Sequence, residues 1–527
     1  MTQIRKITAL LLCLLCLLGL TGCEEEEVSP ENHFFTYDLA GEPDNLDPQT
    51  AQGEDAWTVI QNLYEGLCRT DASGRALPGV AERWEPNDDA TQFTFYLRDG
   101  VCWSNGEPLT AQDFAYALQR ALTPATRCPS AQDLFCIRGA QAFYEGTGTW
   151  DEVGIRVESD DVIRFELTRS LVDFPAETAK SIYMPCNEAF FLSTGGRYGK
   201  EDDDMLTNGP FRLRSFAGWM YRDYIRLVRS ETYCGEETVW PTGLMLDIGA
   251  SSNPIKELTE GTIQAAKLTP AQAKAAQAQG LQLVTFAEST TGIVFNCQKA
   301  HLQSAQTRLA LVTALARDTL TPLYPADTAP ADGIIPGAVT IAGQGYRAWA
   351  GVCADAVAAQ TPAQLLAAGL QETGHRELPA SLKVLCLDTP ENRRIANELL
   401  AAWRTELGYY FNIEVVATER ILQQRLQAGD YYVAIARVAP TENRVTAVTD
   451  RVCALSGYTD AEYDRLCADI TRNPQENAQA LERLLTDAGV FFPLYTESST
   501  YAQGKTVTGL IIRPFGGGLD FRRAGRT

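Results

Sequence analysis

The stretch that most constrains this 527-residue chain is residues 62–124, which reads as one compact unit. Phe93, Phe95 and Leu97 fall on one face of a period-two pattern, the mark of a half-buried strand. Asp99-Gly100 and Asn105-Gly106 supply turn chemistry, and the spacing predicts a strand, a turn and a short return strand. Thr110, with Asp113 three residues on, resembles a capping box. Phe114, Ala117, Leu118, Ala121 and Leu122 then recur at helical spacing until Thr123-Pro124 stops the helix. Nothing in this unit is chemistry; its apolar residues are packing residues.

A chain this long exceeds one ordinary core, and a prior of about 100–200 residues per domain predicts ~3 lobes. Toward the C-terminus the pattern becomes β-α-β-α-β. Residues 382–387 form an apolar strand, and Thr389-Pro390 opens a helix striped by Ile395, Leu399, Ala402 and Trp403 and closed by Gly408. Residues 412–417 are the next strand, Thr418 caps a helix running to Gln427, and residues 430–436 follow as a strand. This α/β lobe begins near Glu288. The alanine-rich residues 268–280 read as a helix, since Ala, Gln and Lys are strong helix formers.

Arg5 and Lys6 precede an apolar stretch at residues 7–20, shorter than the ~20 residues that span a bilayer, with a small-residue ending. That is the pattern of a secretory signal. Leu20-Thr21-Gly22-Cys23 looks like the lipobox of bacterial lipoproteins, making residues 1–22 the signal peptide, Cys23 the lipidated residue and residues 23–33 an acidic tether. The expected place is outside the cytoplasm, held to the membrane by lipid, on the outer face of the cytoplasmic membrane or in the periplasm. Cys13, Cys16 and Cys23 are accounted for in this way, so an odd number of the 14 cysteines remains, without CxxC spacing. Most read as small core residues; Cys128 and Cys136, close together in a loop-like stretch, are the one pair worth testing as a disulfide.

The net charge of −22 argues against nucleic-acid binding, which needs clustered Lys and Arg. A catalytic reading finds little: His33, His301 and His375 stand apart, and there is no HExxH, G-x-S-x-G or P-loop. Residues 343–348 fit a loose G-x-G-x-x-A without the strand and acidic residue of a dinucleotide site, so they read as a loop. The acidic run at 201–204 lacks the ligand alternation and glycine of a calcium loop. Trp84, Trp103 and Trp403 read as core. No enzyme, cofactor or metal site is expected.

The order and wording of residues 62–124 ("EGL", "PGVAERWE", "TFYLRDGVCWSNGEPLTAQDF") resemble family 5 of the extracellular solute-binding proteins, the oligopeptide-, dipeptide- and nickel-binding group of ABC importers. "EPDNLDP", "TNGPFRL", "GIVFNCQKA" and "FFPLYTESSTY" carry the resemblance across nearly the whole mature chain. It implies an α/β, periplasmic-binding-protein-like two-lobed fold (class II, large family 5 type) with an additional inserted α+β domain. Lobe one takes residues 34–57, 183–285 and 489–527, the inserted domain 58–182 and lobe two 286–488, reached by two crossing strands. The implied partners are a small solute, most of all a peptide, and an ABC permease, with the protein itself a monomer. A peptide would lie extended between the lobes, its backbone pairing with an edge from each. Those edges fall on Gln52, Gly53 and Glu54, and on Arg437, Val438 and Ala439. Val438 stands where peptide binders carry a Trp, and Thr441 where they carry the Asp that meets the ligand's α-ammonium; Glu442 is the nearest carboxylate. Sugar, opine or metal-chelate binding, or a sensory or adhesion lipoprotein of the same fold, remain alternatives.

Overall fold

Two long antiparallel strands, Gln282–Phe295 and Phe491–Gln503, carry the chain between its two halves and pair along their whole length. The computed structural model describes residues 34–341, 343–356, 360–440, 443–470, 473–515 and 517–526. The strands that flank this pair differ between its two ends. Near Gln503 the partner is Ala265–Leu268, which lies parallel to Phe34–Leu39, itself parallel to Gly243–Ile248. Near Phe295 the partner is Val433–Val438, which lies parallel to Lys383–Leu387 and through it to Asn412–Val416. One sheet therefore serves two lobes, and the register shifts at Ala287/Ser289, where Glu288 is an extra, bulged residue.

Lobe two is layered on both faces of its part of the sheet, and strand alternation assigns each residue to a face. Ile293, Phe295, Val384, Cys386, Val433 and Ile435 pack with Ile395, Leu399 and Trp403 of the helix Pro390–Leu407. Val294, Leu385, Ala434, Ala436 and Val438 pack against the helices Glu419–Gln427, Val445–Ser456 and Pro474–Asp487. The β-α-β-α-β reading of this region stands, with one shift of boundary. Asp430 N–H still bonds the carbonyl of Arg425, closing the preceding helix, so the last strand begins at Val433 and runs on to Val438 along the crossing strand.

The inserted domain is a four-stranded antiparallel sheet in the order Ala81–Pro86, Gln92–Leu97, Val162–Glu166, Ile155–Ser159, packed against the helix Ala111–Leu122. Phe93, Phe95 and Leu97 are buried as the alternation predicts, and Thr110 N–H donates to Asp113 Oδ2 at 2.8 Å in the capping box. The predicted return strand is absent. Residues 101–109 make only an isolated bridge, Cys102 to Pro108, around the Asn105-Gly106 turn, because Gln92–Leu97 already has strands on both sides. Its core is not separate: Phe93, Phe95 and Phe165 belong to one apolar cluster with Phe35, Leu244 and Phe521 of lobe one. The buried ion pair of Arg120 with Asp47 crosses the same boundary, Arg120 Nη1 donating to Asp47 Oδ2 at 2.8 Å.

Other expectations meet corrections. Leu268 ends a strand, and the alanine-rich helix starts at Pro270 behind the Thr269 cap. Cys128 and Cys136 are free thiols. Trp103 and Trp403 are core residues, whereas Trp84 is half-buried and faces a cavity. Residues 343–348, read as a loop, instead include a short strand, Gln344–Gly345, paired with Thr340–Ile341, and the start of the helix Tyr346–Ala350. Among the described residues, no helix is long and apolar enough to cross a membrane.

Candidate functional site

The space between the lobes is bounded below by the crossing strands. On Phe491–Gln503, Glu497 and Tyr501 lie four residues apart on one face, ~13 Å along a strand. Each is the centre of a polar group. Tyr501 hydroxyl bonds Glu54, which also pairs with Lys267, and the Lys267 ammonium sits 5.5 Å from the Tyr501 ring centroid. Burial, then the Glu54 carboxylate, push the Tyr501 phenol well above its ordinary range. Glu497 Oε2 meets Arg437 Nε at 3.0 Å and its Oε1 accepts from Thr291 Oγ1 at 2.8 Å, while Arg437 Nε also donates to Ser289 Oγ at 2.8 Å.

Glu54 opens the helix Glu54–Leu63. Gly53 precedes it at φ +92, a conformation that L side chains rarely adopt, and an added Cβ would meet nothing within 4 Å. Gln52 and Gly53 are exposed beside it. Asp55 accepts from the backbone N–H groups of Ala40 and Gly41, and burial raises its carboxyl pKa despite those bonds.

On the lobe-two side, Arg437 and Ala439 are exposed and Val438 is fully buried in the lobe core. Any part Val438 plays toward a ligand is therefore through its backbone. The strand that holds these residues is paired on one side as far as Thr290–Val438, but pairing on its other side is recorded only at Val433 and Ala434. Beyond Ala434 that second edge carries no strand among the described residues. Thr441 and Glu442 lie outside the described residues, as do Cys23 and His33. The structure does bring the other two histidines together: the rings of His301 and His375 stack at 3.7 Å.

A cavity of about 710 Å³, a volume typical of small-ligand sites, opens next to these segments. Thr70 to Ala76, Trp84 and Glu177 of the inserted domain line one wall, Thr340, Asn443 and Arg444 of lobe two another, and Arg513 to Phe515 a third. It reaches the crossing strands, because Phe515 N–H donates to Glu288 Oε1 at 2.7 Å in the bulge. None of residues 52–54 or 437–439 lines it. Sequence reasoning missed this lining. The Asp71 to Gly74 turn was the one local signal available, and the rest converges from segments far apart in the chain.

Residues 75–457 match the model described as bacterial extracellular solute-binding proteins, family 5 Middle. The chain belongs to that family. As a family 5 protein it is 26% identical to the oligopeptide-binding protein OppA of Bacillus subtilis, across 98% of this chain and 96% of that one. It is 24% identical to the periplasmic murein peptide-binding protein MppA of Escherichia coli, across 91% and 90%. Among solved structures, MppA in an unliganded open form superposes with a TM-score of 0.71 at 22% identity, covering 94% of this chain and 98% of that one. Listeria monocytogenes OppA bound to peptide gives 0.67 at 22%, covering 94% and 99%. At this identity the structural likeness establishes the two-lobed family 5 fold.

Proposed function

We propose that this solute-binding protein captures a peptide between its lobes and delivers it to an ABC permease, catalysing no reaction, as a monomer tethered to the cell membrane through Cys23. The observation that carries the peptide reading is the half-paired strand Val433–Val438, whose second backbone edge has no strand paired to it beyond Ala434 among the described residues. An extended peptide satisfies such an edge by adding a strand, with affinity largely independent of its side chains. Gln52, Gly53 and Glu54 supply the facing segment and Arg437, Val438 and Ala439 the edge itself, with the adjoining cavity taking what extends past them. The division into residues 34–57, 183–285 and 489–527, 58–182, and 286–488 belongs to the same proposal. Relatives named for oligopeptide and murein-peptide binding support it.

The test is mass spectrometry of solute co-purified with native protein, followed by calorimetry of that solute. Peptides are the expected finding, and a co-purified sugar or chelate in their place overturns the reading. One observation favours a non-peptide solute as the second reading: with Val438 turned into the core, that position presents no aromatic ring to the cleft. Cell fractionation tests the anchor. Wild-type protein should sediment with membranes and Cys23→Ala should not; equal distribution refutes lipidation.

A further inference from the structure

The far wall of the cavity is a contact between the inserted domain and lobe two. Residues 71–75 form a tight turn, with Asp71 Oδ1 accepting from the N–H groups of Ser73 at 2.9 Å and Arg75 at 3.0 Å. The carbonyl of Ser73, presented by this turn, accepts from Asn443 Nδ2 and from Thr340 Oγ1, each at 3.2 Å. Asn443 is itself held: its Oδ1 accepts from Thr340 N–H at 2.7 Å and its Nδ2 donates to Thr340 Oγ1 at 2.7 Å. Gly74, at φ +83, leaves the amide room, since a Cβ there would lie 2.9 Å from Asn443 Nδ2. A second strut stands beside it, where Arg444 Nε lies 3.5 Å from Glu177 Oε1.

These contacts have a mechanical meaning because of what each side is fixed to. The inserted domain shares one core with lobe one, so it moves with lobe one. Thr340 and Asn443 belong to lobe two, and the continuous link between the bodies is the pair of crossing strands with its bulge at Glu288. Rotation about that bulge would part the turn from Asn443 before it disturbed either core, as hinge motion is absorbed by a few residues at element ends.

We propose that the turn at residues 71–75 is a clasp: by engaging Asn443 and Thr340 it stabilises the closed arrangement of the lobes even without solute, and so sets how long a captured solute stays. The inserted domain thereby acquires a role in retention. The kinetic part rests on the reading of the interlobe space as the solute site; the conformational part does not.

The experiment uses the full mature chain with Cys23→Ser, stripped of solute by denaturation and refolding. Asn443→Ala deletes the contact. Gly74→Cys with Asn443→Cys replaces it by a covalent one, since a Cβ at 74 lies 3.7 Å from that of Asn443, inside the span of a disulfide. X-ray scattering should show Asn443→Ala with a larger radius of gyration than the parent. The oxidised double variant should stay compact, expand on reduction and contract again on reoxidation, which separates opening from unfolding. With the co-purified solute, Asn443→Ala should release about tenfold faster, the factor that corresponds to 1.4 kcal/mol. The clasp is refuted if Asn443→Ala is as compact as the parent, or if no cross-link between positions 74 and 443 is found by mass spectrometry in solute-free protein. Both readouts decide the matter even where the solute is not a peptide. Solute release at the parent rate from an expanded Asn443→Ala would overturn the role in retention.

Discussion

Asp247 lies opposite Asp38 in the parallel register of lobe one, with Asp223 and Glu257 also near. Burial, then these like charges, push its carboxyl up to about 6. A carboxyl whose folded pKa is raised binds its proton more tightly in the native state, so stability is full below the unfolded value of ~4 and is lost as pH rises through 6. Asp247→Asn should therefore raise the thermal midpoint at pH 7.5 and leave it nearly unchanged at pH 4. An equal shift at both pH values would refute the electrostatic cause. His301 has the opposite linkage: burial, and then the stacked His375, lower its pKa. Its neutral form is favoured on folding, and the associated stability, present above the unfolded pKa, is lost as pH falls through the folded one. An NMR titration should place the His301 midpoint below that of a free histidine and move it upward in His375→Gln. Neither juxtaposition is legible in the sequence, because each is made by tertiary pairing between remote segments.

At the scale of elements, legibility follows from whether a strand keeps one environment along its length. Gln92–Leu97 has one buried face throughout, and its alternation is plain in Phe93, Phe95 and Leu97. Gln282–Phe295 is open or half-buried in its first half and wholly buried in its last seven residues, since it leaves lobe one and enters the middle of lobe two. No single period describes it, and only the resemblance to a known family pointed to crossing strands. The cap at Thr389 and the stop at Gly408, with φ +78, were readable because they are local chemistry. The cavity was not, since segments far apart in the chain build it. The crossing pair also contains its own check. A Cβ on Gly292 would lie 2.5 Å from both the Phe491 ring and the Phe492 carbonyl oxygen, beside the register shift at Thr291/Gly292. Gly292→Ala should destabilise the protein by about 1–3 kcal/mol, as overpacking does, in denaturant unfolding monitored by fluorescence. A change below ~0.5 kcal/mol would show that the strands part easily at this point.

For the whole molecule, capture is a linkage. A solute that binds only the folded form at 100 times its Kd should add about 2.7 kcal/mol, and a thermal-shift series should show midpoints climbing with its concentration. Flat midpoints across a panel of short peptides would leave the peptide reading without support. The same architecture constrains how the chain comes into being. Phe521 packs 5.3 Å from Phe35, and Asn62 Nδ2 donates to the carbonyl of Leu519 at 2.7 Å, so lobe one and its neighbour are completed by residues remote in the chain. Lobe two likewise waits for Phe491–Gln503 to fill its sheet. Contacts so distant along the chain form slowly. A chain refolding from denaturant therefore leaves both halves unfinished until residues 491–521 find their partners, so the two lobes consolidate together rather than one after the other.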